Sequence, residues 1–303
     1  MPSAWYYFAL SPSIDLWKMI LGRHIGFLLL PIAGLAVICL ALGSAAVAPN
    51  QAASIIDKSI AVNDRDWRAQ DLYVHEERNV RSNVDANGHS KIEGAKEYQV
   101  LMIEGSPYRK LIGVNNESLS AAEQATEERK LQREIARRRA ESPDERSKRI
   151  GKYEQQRAEE HLLMQQITSA FHFRLLEDEE VAGVSCYRLS ATPREDYAPP
   201  LERARVLKGM RGTLWIDKAN YHWAKVQAEV TQPVSFGFFI ARVNPGTRFE
   251  LTQMPVDSYW LPKHFVQTVN ASVFGLYGYR SQDETFYSRY QANPLPGTLT
   301  SLK

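Results

Sequence analysis

Set apart from an apolar N-terminal stretch, the residues best equipped for chemistry are six histidines, one cysteine and a short acidic run. His75, His89, His161, His172, His222 and His264 are scattered along the chain without metal-ligand spacing. No pair sits on one helical face with a Glu between them, as a hydrolytic zinc site requires, and no cysteine pair completes a structural zinc site. Neither a Walker loop nor a Gly-x-Gly-x-x-Gly run is present to cradle a phosphate. Ser185 follows Gly183, but the position two residues after it is Tyr187, so there is no nucleophile elbow. Glu177-Asp178-Glu179-Glu180 lacks the glycine and alternating oxygen ligands of a calcium loop and reads as a solvated turn. The residues therefore call for neither cofactor nor metal and point to a binder, not an enzyme. The arrangement that would revive catalysis is His222, Asp217 and Ser185 meeting in a cleft, yet Asp217 follows Ile216 and so faces the other way along a strand.

The elements that must position these residues fall into three stretches. The apolar run Ile25–Leu42 follows Lys18, Arg23 and His24 and ends in Gly43-Ser44-Ala45-Ala46. A basic flank, an apolar stretch and a small-residue exit are the parts of a secretory signal peptide. Residues 1–48 are read as that leader, with Met19 as an alternative start and cleavage after Ala46. A retained membrane anchor is the other reading, since the run is near the minimum spanning length. Cys186 is then the one cysteine beyond the leader, which excludes an intrachain disulfide, and it reads as a half-buried strand residue.

Residues 49–291 read as one domain, followed by a tail over 292–303. Ile55, Ile56 and Ile60 give Ala52–Val62 a helical pattern. Trp67–Val84 reads as a strand and Asp85-Ala86-Asn87-Gly88 as a tight hairpin turn, with Asn-Gly supplying positive φ. Glu97–Glu104 and Tyr108–Val114 continue a meander. From Leu119 to about residue 165 the chain is dense in Glu, Arg, Lys, Gln and Ala, interrupted at Ser142-Pro143. That predicts a solvated helical hairpin of alternating charge, docked only where Leu162, Leu163, Ile167, Ala170 and Phe171 gather. Strands return from Phe171, and Lys218-Ala219-Asn220 turns Gly212–Asp217 into Tyr221–Val230. The count is about nine alternating strands with two or three helices and no βαβ rhythm. The fold class is α+β, an incomplete antiparallel barrel wrapped on helices with an inserted charged hairpin. A net charge of +2 makes no electrostatic case for nucleic acid.

The strand motifs carry a resemblance. Gly183-Val184-Ser185-Cys186-Tyr187-Arg188-Leu189, Pro193, Gly212-Thr213-Leu214-Trp215-Ile216-Asp217 and Tyr221-His222-Trp223-Ala224-Lys225-Val226 occur in order, with Tyr259-Trp260-Leu261-Pro262 further on. In order and spacing they resemble the LolA-like superfamily of periplasmic lipoprotein carriers and outer-membrane lipoprotein-sorting proteins, over residues 52–114 and 165–291. The resemblance implies a periplasmic protein whose half-barrel encloses an apolar cavity for a lipid or the acyl chains of a lipoprotein. Tyr187, Leu189, Leu214, Ile216, Val226, Phe249 and Leu251 are the lining expected there. The insertion 119–165 departs from a minimal carrier. It leaves open a second reading, an RseB-like module that recognises an envelope protein through that segment. Membrane contact would be transient or through an uncleaved leader.

Overall fold

The computed structural model describes residues 51–85, 87–237, 241–274 and 277–293. The expected leader and nearly all of the expected tail lie outside them, as does the side chain of Leu163. Helix α1 (Gln51–Ala69) leads through a short 3-10 turn into β1 (Tyr73–Val84), β2 (Ser90–Ile103), β3 (Ser106–Val114) and β4 (Glu117–Ser118). The charged segment forms α2 (Ala121–Arg139), α3 (Pro143–Gln165) and the single turn α4 (Ile167–Ala170). Next come β5 (Phe171–Leu175), β6 (Glu179–Val181), β7 (Val184–Pro193), a 3-10 segment over Glu202–Gly209, β8 (Met210–Asp217) and β9 (Trp223–Val230). The last described elements are β10 (Val234–Phe236), β11 (Ala241–Val243), β12 (Arg248–Val256), β13 (Tyr259–Val273) and β14 (Tyr277–Ala292).

The fourteen strands of the described residues form one antiparallel sheet in the order β4-β3-β2-β1-β14-β13-β12-β9-β8-β7-β5, with β10–β11 attached to the far end of β13 and β6 to β7. Distinct strands end the order at each side, so the sheet is open, as the α+β half-barrel reading expects. The count of nine falls short because β4, β6, β10 and β11 are two or three residues long, too short to show alternation. The pairing of β1 with β14 joins the two ends of the domain.

The Asp85–Gly88 turn and the helix start at Ser142-Pro143 fall where the sequence puts them, and further turns and caps rest on the same local chemistry. Asp85 accepts from the backbone N–H groups of Asn87 and His89, and Gly88 takes φ 86°. Glu104-Gly105 closes β2–β3 with both φ values positive, the twist a two-residue hairpin needs. Ser120 and Glu123 form a reciprocal capping box at α2, and Ser142 with Glu145 marks the start of α3 just before Pro143.

Three readings change. Trp67 lies on α1, not on the first strand, because its ring is held between His161, stacked at 4.5 Å, and the Arg157 guanidinium at 4.1 Å. The acidic run is not a plain solvated turn: Glu179 begins β6 and accepts from Trp215 Nε1 at 3.1 Å. The charged hairpin is docked along most of its length. Arg138, 6% exposed, donates to the carbonyls of Ile103, Ser106 and Pro107. Arg149 reaches Ser106 Oγ and the Glu104 carbonyl, and Arg157 reaches Asp71 and the Trp67 carbonyl. Leu162, expected to dock, is 39% exposed, while Met164 is buried. Guanidinium groups satisfying carbonyls at a hairpin tip hold these helices where an apolar stripe was sought.

Candidate functional site

The expected lining residues come together on the inner face of the sheet. Leu189 of β7 faces Leu214 of β8, Leu214 faces Val226 of β9, Val226 faces Leu251 of β12, and Leu251 faces Phe265 of β13. These five neighbours form one continuous apolar row. Tyr187 and Ile216 pair one step toward the β8–β9 turn, and Phe249 pairs with Ala228 on the other side. Leu189, Leu214, Ile216, Val226, Phe249 and Leu251 are all buried in one core cluster, with Tyr187 half-buried against it. Each such burial is worth about 1.5–3 kcal/mol relative to exposure.

Helix α1 lies over this row with Ala52, Ile55 and Ile56 in the same cluster. Its underside then turns polar. Ser59, Asn63 and Asp66 follow at helical spacing and are equally buried. Trp223 Nε1 donates to Ser59 Oγ at 3.2 Å, and Asn63 Nδ2 reaches the Met164 sulfur at 2.7 Å. Asp66 Oδ2 meets His222 Nδ1 at 2.5 Å, and the His222 ring stacks on Trp260. α3 closes the outer side through His161, whose Nε2 lies 2.8 Å from Asp64 and whose imidazole burial holds below the usual range. The covering helix is therefore held to the sheet by apolar contact at one end and hydrogen bonds at the other.

The same inner face changes character beyond β13. Phe265 faces Thr285 of β14, which faces Asn79 of β1, and the Thr285 hydroxyl donates to Asn79 Oδ1. Phe249 faces Gln267, whose Oε1 is buried with no hydrogen-bond partner among the described residues. Arg81 pairs with Asp283 at 2.9 Å, and Glu77, 1% exposed, pairs with Arg109 at 2.7 Å and His75 at 3.3 Å. Tyr290 stacks on His75 and donates to the Pro262 carbonyl. Burial first and then Glu77 push its phenol well above the ordinary range. The inner surface is thus apolar along the row from Leu189 to Phe265 and polar at Gln267 of β13, Thr285 and Asp283 of β14 and Asn79 and Arg81 of β1.

The groups weighed for catalysis do not converge. Asp217 is buried, not outward in solvent, and accepts from the backbone of Ala219 and Asn220 in the β8–β9 turn. His222 turns away to Asp66, and Ser185 is exposed. Cys186 is fully buried, not half-buried, beside Trp215 and Ala224, and burial followed by Asp217 pushes its thiol up to about 11. Among the described residues no group of three or more His, Cys, Asp or Glu side chains could hold a metal ion. The His222–Asp66 pair, missed because its members lie on different elements, and the His75–Glu77 pair within β1 are sealed from solvent.

A separate groove of about 1140 Å³ lies on the outer face, near the rim where β8 and β12 begin. Its floor crosses the sheet through Arg211, Glu229, Arg248, Thr268 and Gln282, which are register neighbours. The β1–β2 turn forms one wall, and of the seven expected lining residues Phe249 borders it.

No family model matches the chain, and no curated protein does. Among solved structures it is similar in fold to a LolA-superfamily protein from Nitrosomonas europaea, at 11% identity and TM-score 0.30, covering 81% of this chain and 94% of that one. A putative outer membrane lipoprotein-sorting protein domain from Vibrio parahaemolyticus aligns at 14% identity and TM-score 0.30, over 80% and 95%. Pseudomonas aeruginosa MucB, in complex with MucA, aligns at 12% identity and TM-score 0.20, over 76% and 93%. Likenesses at this level carry no argument about what the chain binds.

Proposed function

We propose that this is an exported, non-catalytic periplasmic binding protein that takes an acyl chain, free or on a lipoprotein, along the apolar row beneath α1. The observation that carries the reading is the row itself. Leu189, Leu214, Val226, Leu251 and Phe265 are successive neighbours across five strands. Four inter-strand steps make a straight apolar track of roughly 19 Å, a length suited to a long fatty acyl chain. Apolar contact along such a track binds by area removed from water, at about 25 cal/mol per Å². In the conformation described the row is packed in one core with Ile55 and Ile56 of α1 and with Val206 and Leu207 of the 3-10 segment, so a ligand enters by displacing these covering elements. A helix held by Asp66–His222 and Trp223–Ser59 separates more readily than one with a wholly apolar underside, because its polar groups regain water on release. The polar surface beyond β13 would receive the head of the ligand.

The test is photo-crosslinking with a fatty acid that carries a diazirine near its terminal methyl, followed by peptide mapping. Crosslinks on β7, β8, β9 and β12 support the reading. Labelling confined to the outer face, or none at saturating ligand, overturns it. Docking of an envelope protein through residues 119–165 is the alternative. It would have to use the outward faces of α2 and α3, because Arg138 of α2 and Arg149 and Arg157 of α3 are turned into the body.

A further inference from the structure

Three large apolar side chains are more than half exposed among the described residues: Tyr277 at 71%, Ile92 at 67% and Phe274 at 60%. All three belong to two hairpins that the β1–β14 pairing sets side by side. Phe274 and Tyr277 flank the β13–β14 turn, and Ile92 stands near the start of β2, just past the β1–β2 turn. These turns share one rim of the sheet with the starts of β8 and β12, since each of those strands pairs antiparallel with a neighbour that ends there. Exposed Leu162 and Phe286 lie elsewhere, and Phe286 is covered by Arg78 and His264. Aromatic and branched side chains at hairpin ends, gathered on one rim, have no part in the core or in the row beneath α1.

The same rim is rich in exposed cations: Lys91, Arg211, Arg242, Arg248 and Arg280. The carboxylates among them are Asp85, Glu93 and Glu229. Asp85 is occupied by its own turn, accepting from Asn87, His89 and the His89 ring, and Glu93 accepts from Asn83. Arg211 and Arg248 line the outer groove where it opens at this rim. Projecting aromatics ringed by arginine and lysine match the two requirements of an interfacial anchor: apolar groups that enter the acyl boundary and cations that meet anionic headgroups. Aromatics and arginine are enriched in protein interfaces too, but side chains projecting from two hairpin ends with a lysine among the surrounding cations fit the bilayer.

We infer that this rim docks on an anionic lipid bilayer, with Phe274 and Tyr277 inserted at the headgroup level and the arginines of the adjoining groove facing the lipid phosphates. The inference does not rest on acyl binding beneath α1, which uses the opposite face of the sheet.

The experiment compares the full chain with Phe274→Asn/Tyr277→Ser on vesicles of phosphatidylcholine and phosphatidylglycerol at roughly 3:1, and on phosphatidylcholine alone. Asn suits position 274 because its φ is 51°. Both proteins are used in the form purified from the periplasm, with N-termini verified as identical by mass. The double variant should bind the anionic vesicles at least about tenfold more weakly. Hydrogen exchange on vesicles should show protection in peptides spanning 270–280 and 88–93. Arg242→Glu/Arg248→Glu keeps the aromatics and should lose the preference for anionic over neutral vesicles. Equal binding by the double variant, or protection confined to other segments, overturns the proposal. So does a dimer abolished by the double variant in sedimentation without any vesicle binding, which would assign the patch to self-association.

Discussion

His222 Nδ1 and Asp66 Oδ2 lie 2.5 Å apart across 156 residues of chain, with both side chains at 6% exposure or less. The contact ties the last turns of α1 to the start of β9. Among the described residues it is, with the Trp223–Ser59 hydrogen bond, one of two buried polar links between the covering helix and the sheet, and the Asp66 Oδ1 atom makes no hydrogen bond there.

Asp66→Ala should therefore leave a buried imidazole without its partner and cost about 1–3 kcal/mol. The urea midpoint would fall accordingly, and hydrogen exchange over 51–69 would rise more than over β8 and β9. If α1 covers the ligand track, the same variant should take up a dansyl-labelled fatty acid faster than wild type. An unchanged midpoint would remove the link from any role in holding the helix.

Neighbouring arginines on α2 should behave differently. Arg138 is buried on the β2–β3 tip, and its hydrogen bonds from a charged donor are worth about 1.5–3 kcal/mol in net effect. Arg137 is 56% exposed and pairs with Glu134 and Glu141 on its own helical hairpin, an arrangement worth at most about 1 kcal/mol. Chemical denaturation of Arg138→Ala and Arg137→Ala should separate the two clearly. Equal losses would mean the tip contact contributes little.

The hairpin should also loosen in acid. Hydrogen bonding from Arg137, then from Arg138, lowers the Glu134 carboxyl to about 2. A depressed folded-state value means the stabilisation is fully present above the ordinary carboxylate value near 4.5 and is lost as pH falls from there toward 2. Exchange over 119–165 should increase through that window, and Glu134→Gln should show less of the change. Solvent screening at this half-exposed site keeps the effect modest.

Cys186 should resist alkylation in the native protein. With its thiol pushed up to about 11 and its side chain buried, iodoacetamide labelling mapped to that peptide should be slow at neutral pH. The native rate should keep climbing with pH beyond 9, while unfolded chain reacts quickly at 8.5 or so. Rapid native labelling near neutrality would show that the β6–β7 region opens far more readily than its packing indicates.

What the sequence determined by itself is what neighbours in the chain decide. Asp85 with Asn87-Gly88 had to turn, Ser142-Pro143 had to restart a helix, and Leu214, Ile216 and Val226 had to share a sheet face, because φ preferences, caps and side-chain parity are local properties. The tertiary structure decided everything whose partner is distant. Strands of two or three residues such as β4 and β11 exist because a longer strand offers them a free edge, not because their own residues alternate. Trp67 reads equally as strand or helix until His161 and Arg157 arrive from α3. A run of arginines looks solvated until Arg138 finds three carbonyls at a hairpin tip. The exposed rim of Phe274, Tyr277 and Ile92 follows the same rule, since apolar residues at two separate turns become one patch only when β14 pairs with β1. Burial and pairing are paid in the free energy of the whole sheet, so they cannot be read from any one segment of it.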